Sequence, residues 1–133
     1  MKFIELTEEQ IKQVEKDSVG EPYPVLAKNL HSIGIDNYVV NVGTGETNYT
    51  STTGETLILE RTTEAFEPSD HFDLTAVKNA IKRTQNGESD YSTFLHEIGA
   101  AGVHTYVSDL KGMKLIYQGI NSEYEYEELI PKI

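Results

Sequence analysis

A six-residue stretch that occurs twice decides the fold: Gly34-Ile35-Asp36-Asn37-Tyr38-Val39 and Gly102-Val103-His104-Thr105-Tyr106-Val107. In both copies a glycine precedes β-branched and aromatic residues, a pattern typical of a strand that begins directly after a helix. The copies lie 68 positions apart, and this offset aligns the two halves of the chain without a gap. The sequence therefore contains an internal duplication, and each half serves as a check on the other.

Identical residues and matched apolar positions extend the repeat beyond this stretch. At the same offset, nine residues between positions 4 and 60 are identical to their counterparts, where composition alone would give about three or four. Three of the nine are tyrosine pairs: Tyr23 with Tyr91, Tyr38 with Tyr106, and Tyr49 with Tyr117. Apolar positions also coincide where a shared core would need them, as in Leu26 with Phe94, Leu30 with Ile98 and Val42 with Leu110.

Each copy is predicted to form two helices followed by three strands. Thr7 and Thr75 each suit the cap of a first helix, and Gly34 and Gly102 suit the end of a second. Stretches of β-branched and aromatic residues, separated by glycine-containing turns, predict the strands. The predicted helices span about 7–17, 23–32, 75–85 and 90–100, and the predicted strands about 35–42, 46–51, 56–60, 103–110, 113–118 and 124–130.

The pattern predicts an α+β fold. One copy covers about residues 4–60, a linker covers 61–70, and the second copy covers about 72–131. The six strands are most simply joined in one antiparallel sheet, with helices packed against it around a pseudo-two-fold axis. We expect the 133 residues to form a single domain, because a chain of this length leaves little room for two independent cores.

Composition excludes several classes of function. The net charge is −11, from 22 acidic and 11 basic residues, so nucleic-acid binding is disfavoured. There is no cysteine, which excludes disulfides, thiolate catalysis and cysteine-bound zinc. No stretch approaches the roughly 20 apolar residues of a membrane helix. The first residues turn acidic without an apolar segment of the signal-peptide kind, so we expect a cytoplasmic protein with no membrane partner.

The run Asp90-Tyr91-Ser92-Thr93-Phe94-Leu95-His96-Glu97-Ile98-Gly99-Ala100-Ala101-Gly102-Val103 resembles the YbcV-like family of small bacterial proteins. Tyr106, Asp109 and Tyr117 extend the resemblance, which is strongest over residues 72–131. It implies a protein of unknown function and brings no catalytic residue with it. Some members carry a phage envelope label. The family's first half often begins a helix with a Phe-Pro-Glu-like sequence, where this chain has Tyr23-Pro24-Val25.

The histidines offer weak signals for catalysis or metal binding. His96-Glu97 would need a second histidine one turn later to hold zinc, and Ala100 stands there. His104 could act as a general base with Asp109, yet no serine or cysteine nucleophile accompanies the pair. We expect no metal and no cofactor, and a surface role for both histidines is the simpler interpretation.

The paired tyrosines suggest the sharper hypothesis. Their simplest role is to close the core of the sheet with their rings. The alternative is a small-molecule pocket at the seam between the copies, with a histidine at its entrance. The candidate ligand-binding residues are Tyr38, Tyr49, Tyr106, Tyr117, His96 and His104.

An acidic strand offers a second kind of site. Residues 123–128 alternate glutamate with tyrosine, except for a final pair of glutamates. Such a strand protects a sheet edge from aggregation, and it could also recruit a basic protein.

These features favour a non-enzymatic binding or interaction protein of unknown role. A small-molecule-binding domain with its pocket at the repeat seam is the alternative. An enzyme that uses His104 or His96 with a tyrosine is the third possibility.

Overall fold

The fold is that of a computed structural model, which describes residues 7–18, 21, 23–60, 65–120 and 124–130. The predicted α+β class is confirmed: in each half, two helices precede three strands. Parts of the predicted copies and linker, at residues 4–6, 19, 20, 22, 61–64, 121–123 and 131, lie outside the described residues. The elements are α1 (Glu8–Asp17), α2 (Tyr23–Ser32), β1 (Ile35–Asn41), β2 (Thr47–Ser51), β3 (Thr56–Leu59), α3 (Leu74–Gln85), α4 (Tyr91–Ala100), β4 (Thr105–Asp109), β5 (Lys114–Gln118) and β6 (Glu125–Leu129).

Side-chain caps fix where the helices begin. The Thr7 hydroxyl accepts a hydrogen bond from the Gln10 backbone amide at 3.2 Å, and Oε1 of Gln10 accepts one from the Thr7 backbone amide. The prediction that Thr75 caps α3 was wrong. Asp73 caps this helix instead, accepting from the Ala76 amide at 3.1 Å. A carboxylate two residues earlier satisfies the first free amides and suits the positive end of the helix dipole.

A glycine follows each second helix, as predicted. Gly34 and Gly102 have φ angles of 97° and 95°, a left-handed conformation that L-residues with a Cβ rarely adopt. Gly102 also has no room for a side chain, because a Cβ there would lie 2.3 Å from the His71 carbonyl oxygen. Both glycines turn the chain from the helix into the central strand of its copy.

The six strands form one antiparallel sheet in the order β3-β2-β1-β4-β5-β6. The central pair, β1 and β4, joins the two copies, and Val39 pairs with Val107 across it. Within the copies the registers match, because Tyr38 pairs with Tyr49 and Tyr106 pairs with Tyr117. Matched registers at a fixed offset place the four tyrosines on one face of the sheet.

The helices cover this tyrosine face. The Phe94 ring lies 6.4 Å from the rings of both Tyr106 and Tyr117, and α1 packs with α2 while α3 packs with α4. On the opposite face Val39 and Ile58 remain 37% and 55% exposed. Each copy therefore contributes one helix pair to the same side of a shared sheet, and the core lies between the two layers.

The described part of the linker runs along the C-terminal end of α4. The Phe66 amide donates to the Gly43 carbonyl at 2.8 Å, and the Ser69 amide donates to the Gly99 carbonyl at 2.9 Å. These bonds hold the described part of the linker against the turn after β1 and the end of α4.

Candidate functional site

A cleft of about 1120 Å³ lies between the two helix pairs, above the tyrosine face of the sheet. All four helices line it, with Glu15 from α1, Leu26 from α2, Ile81 from α3 and Phe94 from α4. Its size is on the order of that of the clefts that hold small molecules, and most of its wall is apolar. The cleft therefore lies at the seam between the copies.

Four tyrosine rings form a row along the floor of the cleft. The order across the strands is Tyr49, Tyr38, Tyr106 and Tyr117, with ring centroids 5.2, 6.5 and 5.6 Å apart. All four line the cleft, and each exposes between 2% and 6% of its surface. Rings at these separations and tilts make favourable aromatic contacts, so the row is rigid as well as apolar.

Two further tyrosines reach down from the helices to the floor. The Tyr23 hydroxyl lies 2.5 Å from that of Tyr38, and the Tyr91 hydroxyl lies 2.8 Å from that of Tyr106. Tyr23 and Tyr91 begin α2 and α4, so the same contact forms in each copy. The floor therefore carries one hydrogen-bonded phenol pair from each copy.

The two pairs differ at one position. The Tyr23 hydroxyl also lies 2.5 Å from the Ser108 hydroxyl. Ser108 occupies in the second copy the place that Val40 occupies in the first, and both are buried. Since valine has no polar atom, the contact made by Ser108 has no equivalent beside Tyr91.

Burial keeps these phenols neutral. It raises the pKa of Tyr38 and Tyr106 well above the ordinary value, and neighbouring tyrosines add to the rise. Burial also raises the pKa of Tyr23 and Tyr117. A phenol without negative charge near neutral pH is a weak nucleophile and a weak general base. The buried phenols of the cleft floor are therefore neutral.

Three glutamate side chains line the walls of the cleft. Glu15 accepts from the Tyr49 hydroxyl at 3.4 Å, and Glu128 accepts from the Gln85 side-chain amide at 3.0 Å. Glu21 also lines the cleft and is exposed. The outer tyrosine of each copy, Tyr49 or Tyr117, thus has a glutamate nearby: Glu128 is the second cause, after burial, of the raised pKa of Tyr117.

The structure separates the predicted histidines from the tyrosines. The exposed His96 stacks on Phe66 with the ring centroids 4.3 Å apart. Nε2 of His104 lies 2.9 Å from the Ser69 carbonyl oxygen and 3.5 Å from the Asp70 carboxylate. Both histidines face the linker and are not among the residues that line the cleft.

Asp109, the partner suggested for His104, has a different contact in the structure. Its carboxylate accepts from the Gly112 amide at 2.8 Å in the hairpin turn. Among the described residues, no group of three or more acids and histidines is placed to hold a metal ion. No helix within the described ranges is long and apolar enough to cross a membrane.

The sequence-based hypothesis missed several lining residues with polar side chains, among them Tyr23, Tyr91, Glu15 and Glu128. Tyr23 and Tyr91 were recognised as a repeat pair but interpreted as ordinary helix residues. Their separation by the repeat offset of 68 residues was the available signal, because each is the first residue of the second helix of its copy. Glu15 gave no signal, because its counterpart at the offset is Arg83, whereas Glu128 is identical to its counterpart Glu60 but suggested only part of an acidic strand.

A protein family whose model is described as "protein of unknown function (DUF1398)" matches residues 9–128 of the chain. The match includes nearly all of both copies and every described residue that lines the cleft except Leu129 and Ile130. No curated protein matches the chain.

Proposed function

Since the chain belongs to the DUF1398 family of proteins of unknown function, we propose its function from the cleft: it is a non-enzymatic protein that binds a small molecule at the repeat seam. The observation that carries this proposal is the row of four tyrosines, drawn from both copies, along the floor of a 1120 Å³ cleft. Packing a core needs no such space between the helix pairs, whereas an apolar cleft with a few polar groups is the usual form of a ligand site.

The chemistry of the lining supports binding over catalysis. The hydroxyls of Tyr23, Tyr38, Tyr91 and Tyr106 already bond in pairs. Burial raises the pKa of Tyr23, Tyr38 and Tyr106, which favours their neutral form. The floor beneath a ligand is therefore a layer of rings held in place by their neighbours. Preorganised rings lose little conformational entropy on binding.

A screen by thermal shift, with a blocked cleft as the comparison, tests the proposal. Thr84 lines the cleft from α3, whereas Asn79 lies on the same helix, is exposed and does not line it. Thr84→Phe should narrow the cleft, and Asn79→Phe serves as the control for a new aromatic residue on this helix. A compound at 100 times its Kd should stabilise the wild type by about 2.7 kcal/mol.

We expect Thr84→Phe to lose most of this stabilisation and Asn79→Phe to keep it. Tyr49→Phe and Tyr117→Phe then test whether the hydroxyls of the cleft floor contribute to binding, because each variant removes one hydroxyl and keeps the ring. If every compound that binds the wild type binds Thr84→Phe and both floor variants equally well, the ligand site is elsewhere and the proposal fails.

A basic protein partner is the second candidate. Glu125 and Glu127 are exposed on β6, an outer strand of the described sheet, and Leu129 beside them is 73% exposed. An exposed acidic edge attracts a positively charged surface, and the attraction is screened by salt. Partner capture that survives Glu125→Gln and Glu127→Gln, or that persists unchanged in moderate salt, would contradict this alternative.

The finer family assignment is also a proposal. The resemblance of residues 90–103 supports placing the chain among YbcV-like proteins, and the cytoplasmic location stays a prediction from the sequence.

A further inference from the structure

We infer that the chain pairs with a second copy of itself along β3, so that two sheets join edge to edge. β3 is an outer strand of the described sheet, and its four residues, Thr56-Leu57-Ile58-Leu59, include no charged residue. Thr56 and Ile58 are exposed, and Ile58 leaves 55% of its surface uncovered. An exposed, apolar outer strand is open to pairing with another strand.

Backbone groups of β3 point away from its neighbour β2. The Ser51 amide donates to the Glu55 carbonyl at 2.8 Å, and hydrogen-bonded pairs alternate with non-bonded pairs along an antiparallel ladder. By this alternation Leu57 also bonds to β2, whereas the amides and carbonyls of Thr56 and Ile58 face outward. No residue that the structure describes gives these outward-facing groups a hydrogen-bond partner.

The two outer strands of the sheet match each other with a displacement of one residue. Leu57 lies opposite Tyr49, and Tyr126 lies opposite Tyr117, the counterpart of Tyr49. The repeat offset would instead match Leu57 with Glu125. The equivalent of each β3 residue in the sheet is therefore one position later on β6 than the offset gives.

This displacement gives the two edges different side chains at equivalent places. Glu125 of β6 is equivalent to Thr56, and Glu127 is equivalent to Ile58. Like charges that face each other across two strands are destabilising, so the glutamates protect β6 from pairing with itself. β3 lacks this protection, and Ile58 lies opposite the polar side chain of Asn48.

A second copy of the chain is the partner that suits the β3 edge. In an antiparallel pairing, Thr56 of one copy and Ile58 of the other exchange two hydrogen bonds, and the reverse pair does the same. Leu57 then lies opposite its own equivalent across a two-fold axis. In this register Glu55 and Glu60 each face an uncharged residue of the other copy. The strand is therefore complementary to itself, and such a two-fold interface closes at two molecules.

The pairing continues an arrangement that the chain already has. β1 and β4 join the two repeat copies in antiparallel fashion around the paired Val39 and Val107. A pairing of β3 with β3 repeats this operation and keeps all helices on one side of a longer sheet. The net charge of −11 disfavours contact between the charged surfaces of two copies, and an uncharged edge avoids this repulsion.

Sedimentation at increasing protein concentration measures the pairing. One strand pair is smaller than the standard interface of about 800 Å² per partner, so the dimer should be weak and reversible. The mass should rise with concentration from 14.9 kDa toward twice that value.

Two variants of equal charge test the role of the edge. Ile58→Glu gives β3 the charge that Glu127 gives β6, and it should raise the dissociation constant of the dimer by about tenfold or more. Asn79→Glu adds the same charge at an exposed position of α3 and should leave the dimer unchanged. Circular dichroism checks that both variants are folded.

A single cysteine tests the register, because the chain has no cysteine of its own. Leu57→Cys brings the two copies of this position together in a non-bonded pair, where Cα atoms lie about 4.5 Å apart and within reach of a disulfide. Oxidation with copper phenanthroline should therefore give a covalent dimer that a reductant separates. Leu129→Cys, at an exposed position of the β6 edge, is the control and should cross-link much more slowly.

Four results would overturn the inference. They are a wild type that keeps the mass of one chain at every concentration, an Ile58→Glu variant that dimerises as well as Asn79→Glu, and a Leu57→Cys variant that cross-links no faster than Leu129→Cys. The fourth is a mass that grows beyond two copies, which indicates head-to-tail pairing of β3 with β6. Residues 56–58 do not line the cleft, so these results leave the ligand site proposed above untouched.

Discussion

Val39 of β1 pairs directly with Val107 of β4, and each is the counterpart of the other at the offset of 68 residues. The pseudo-two-fold axis of the sheet therefore passes through this pair. The neighbouring pairs follow from it: Tyr38 lies opposite Ser108, and Tyr106 lies opposite Val40. The seam thus has the geometry of a symmetric two-subunit interface built within one chain.

The seam predicts that half of the chain does not fold alone as a monomer. A fragment of residues 1–68 would expose the β4-facing edge of β1 and, beside it, Tyr38 and Val40, which are 6% and 0% exposed in the intact protein. A chain of this size buries little surface without its partner. We expect it to be unfolded, or to dimerise with a second β1 in the place of β4.

Circular dichroism and light scattering distinguish these states. A folded, monomeric fragment would show that each copy is an independent unit. We propose instead that the 133 residues fold as one domain around the shared sheet.

The contact between Tyr23 and Ser108 should be measurable as a coupling energy. In a double-mutant cycle, Tyr23→Phe and Ser108→Ala should interact by about 1 kcal/mol, because each removes the same hydrogen bond. The corresponding cycle of Tyr91→Phe and Val40→Ala should show a smaller coupling, since valine offers no hydroxyl. Urea unfolding measures both, and equal couplings would mean that the Ser108 contact contributes nothing specific.

Gly102 should tolerate alanine far less well than Gly54. Both have left-handed φ angles, 95° and 87°, which cost an L-residue about 1–2 kcal/mol. Only at Gly102 would the new Cβ also meet backbone, 2.3 Å from the His71 carbonyl oxygen, whereas nothing lies within 4 Å at Gly54. Gly102→Ala should therefore lower the free energy of unfolding by clearly more than Gly54→Ala. Similar losses for the two variants would show that the cost of alanine at Gly102 comes from its φ angle and not from the contact with the His71 carbonyl oxygen.

The buried tyrosines predict a loss of stability at alkaline pH. Burial raises the pKa of Tyr38 and Tyr106 above the value of about 10 in an unfolded chain. Above pH 10 the unfolded state therefore releases protons that the folded state retains. The contribution of these tyrosines to the free energy of unfolding is fully present below pH 10. Above pH 10 it falls by about 1.4 kcal/mol per pH unit for each tyrosine that the fold keeps neutral.

Tyrosinate absorbance and circular dichroism, recorded on one titration, check this prediction. We expect a large part of the tyrosinate signal to rise together with unfolding. Tyr38→Phe with Tyr106→Phe should reduce the slope of stability against pH above 10. If all tyrosines ionise while the protein remains folded, burial does not raise their pKa and the prediction is wrong.

The sequence predicted most of the fold because the duplication supplied each pattern twice. The predicted bounds of α2, residues 23–32, agree with the structure, and Gly34 ends it as expected. The start of α3 was less predictable, because Asp73 and Thr75 both suit a cap and only the backbone geometry chooses between them.

The site was predictable only where symmetry marked it. Repeat pairing identified Tyr38, Tyr49, Tyr106 and Tyr117 as a set, and the structure brings them into one row. Glu128 has a repeat counterpart in Glu60, but its sequence pattern suggested only an exposed edge. The pairing of β5 with β6 places it opposite Leu115, on the same face as Tyr117. The positions of His96 and His104 depend on the linker, which has no counterpart in the repeat.

The difference between Ser108 and Val40 has a consequence for the pose of a ligand. A cleft with perfect two-fold symmetry would offer an asymmetric molecule two orientations of equal energy. Here one phenol pair is held by a serine hydroxyl, and the other lies beside a valine methyl group. The carboxylates at the two ends also come from different elements. The two orientations of an asymmetric ligand therefore differ in energy, because its two ends meet different halves of the cleft.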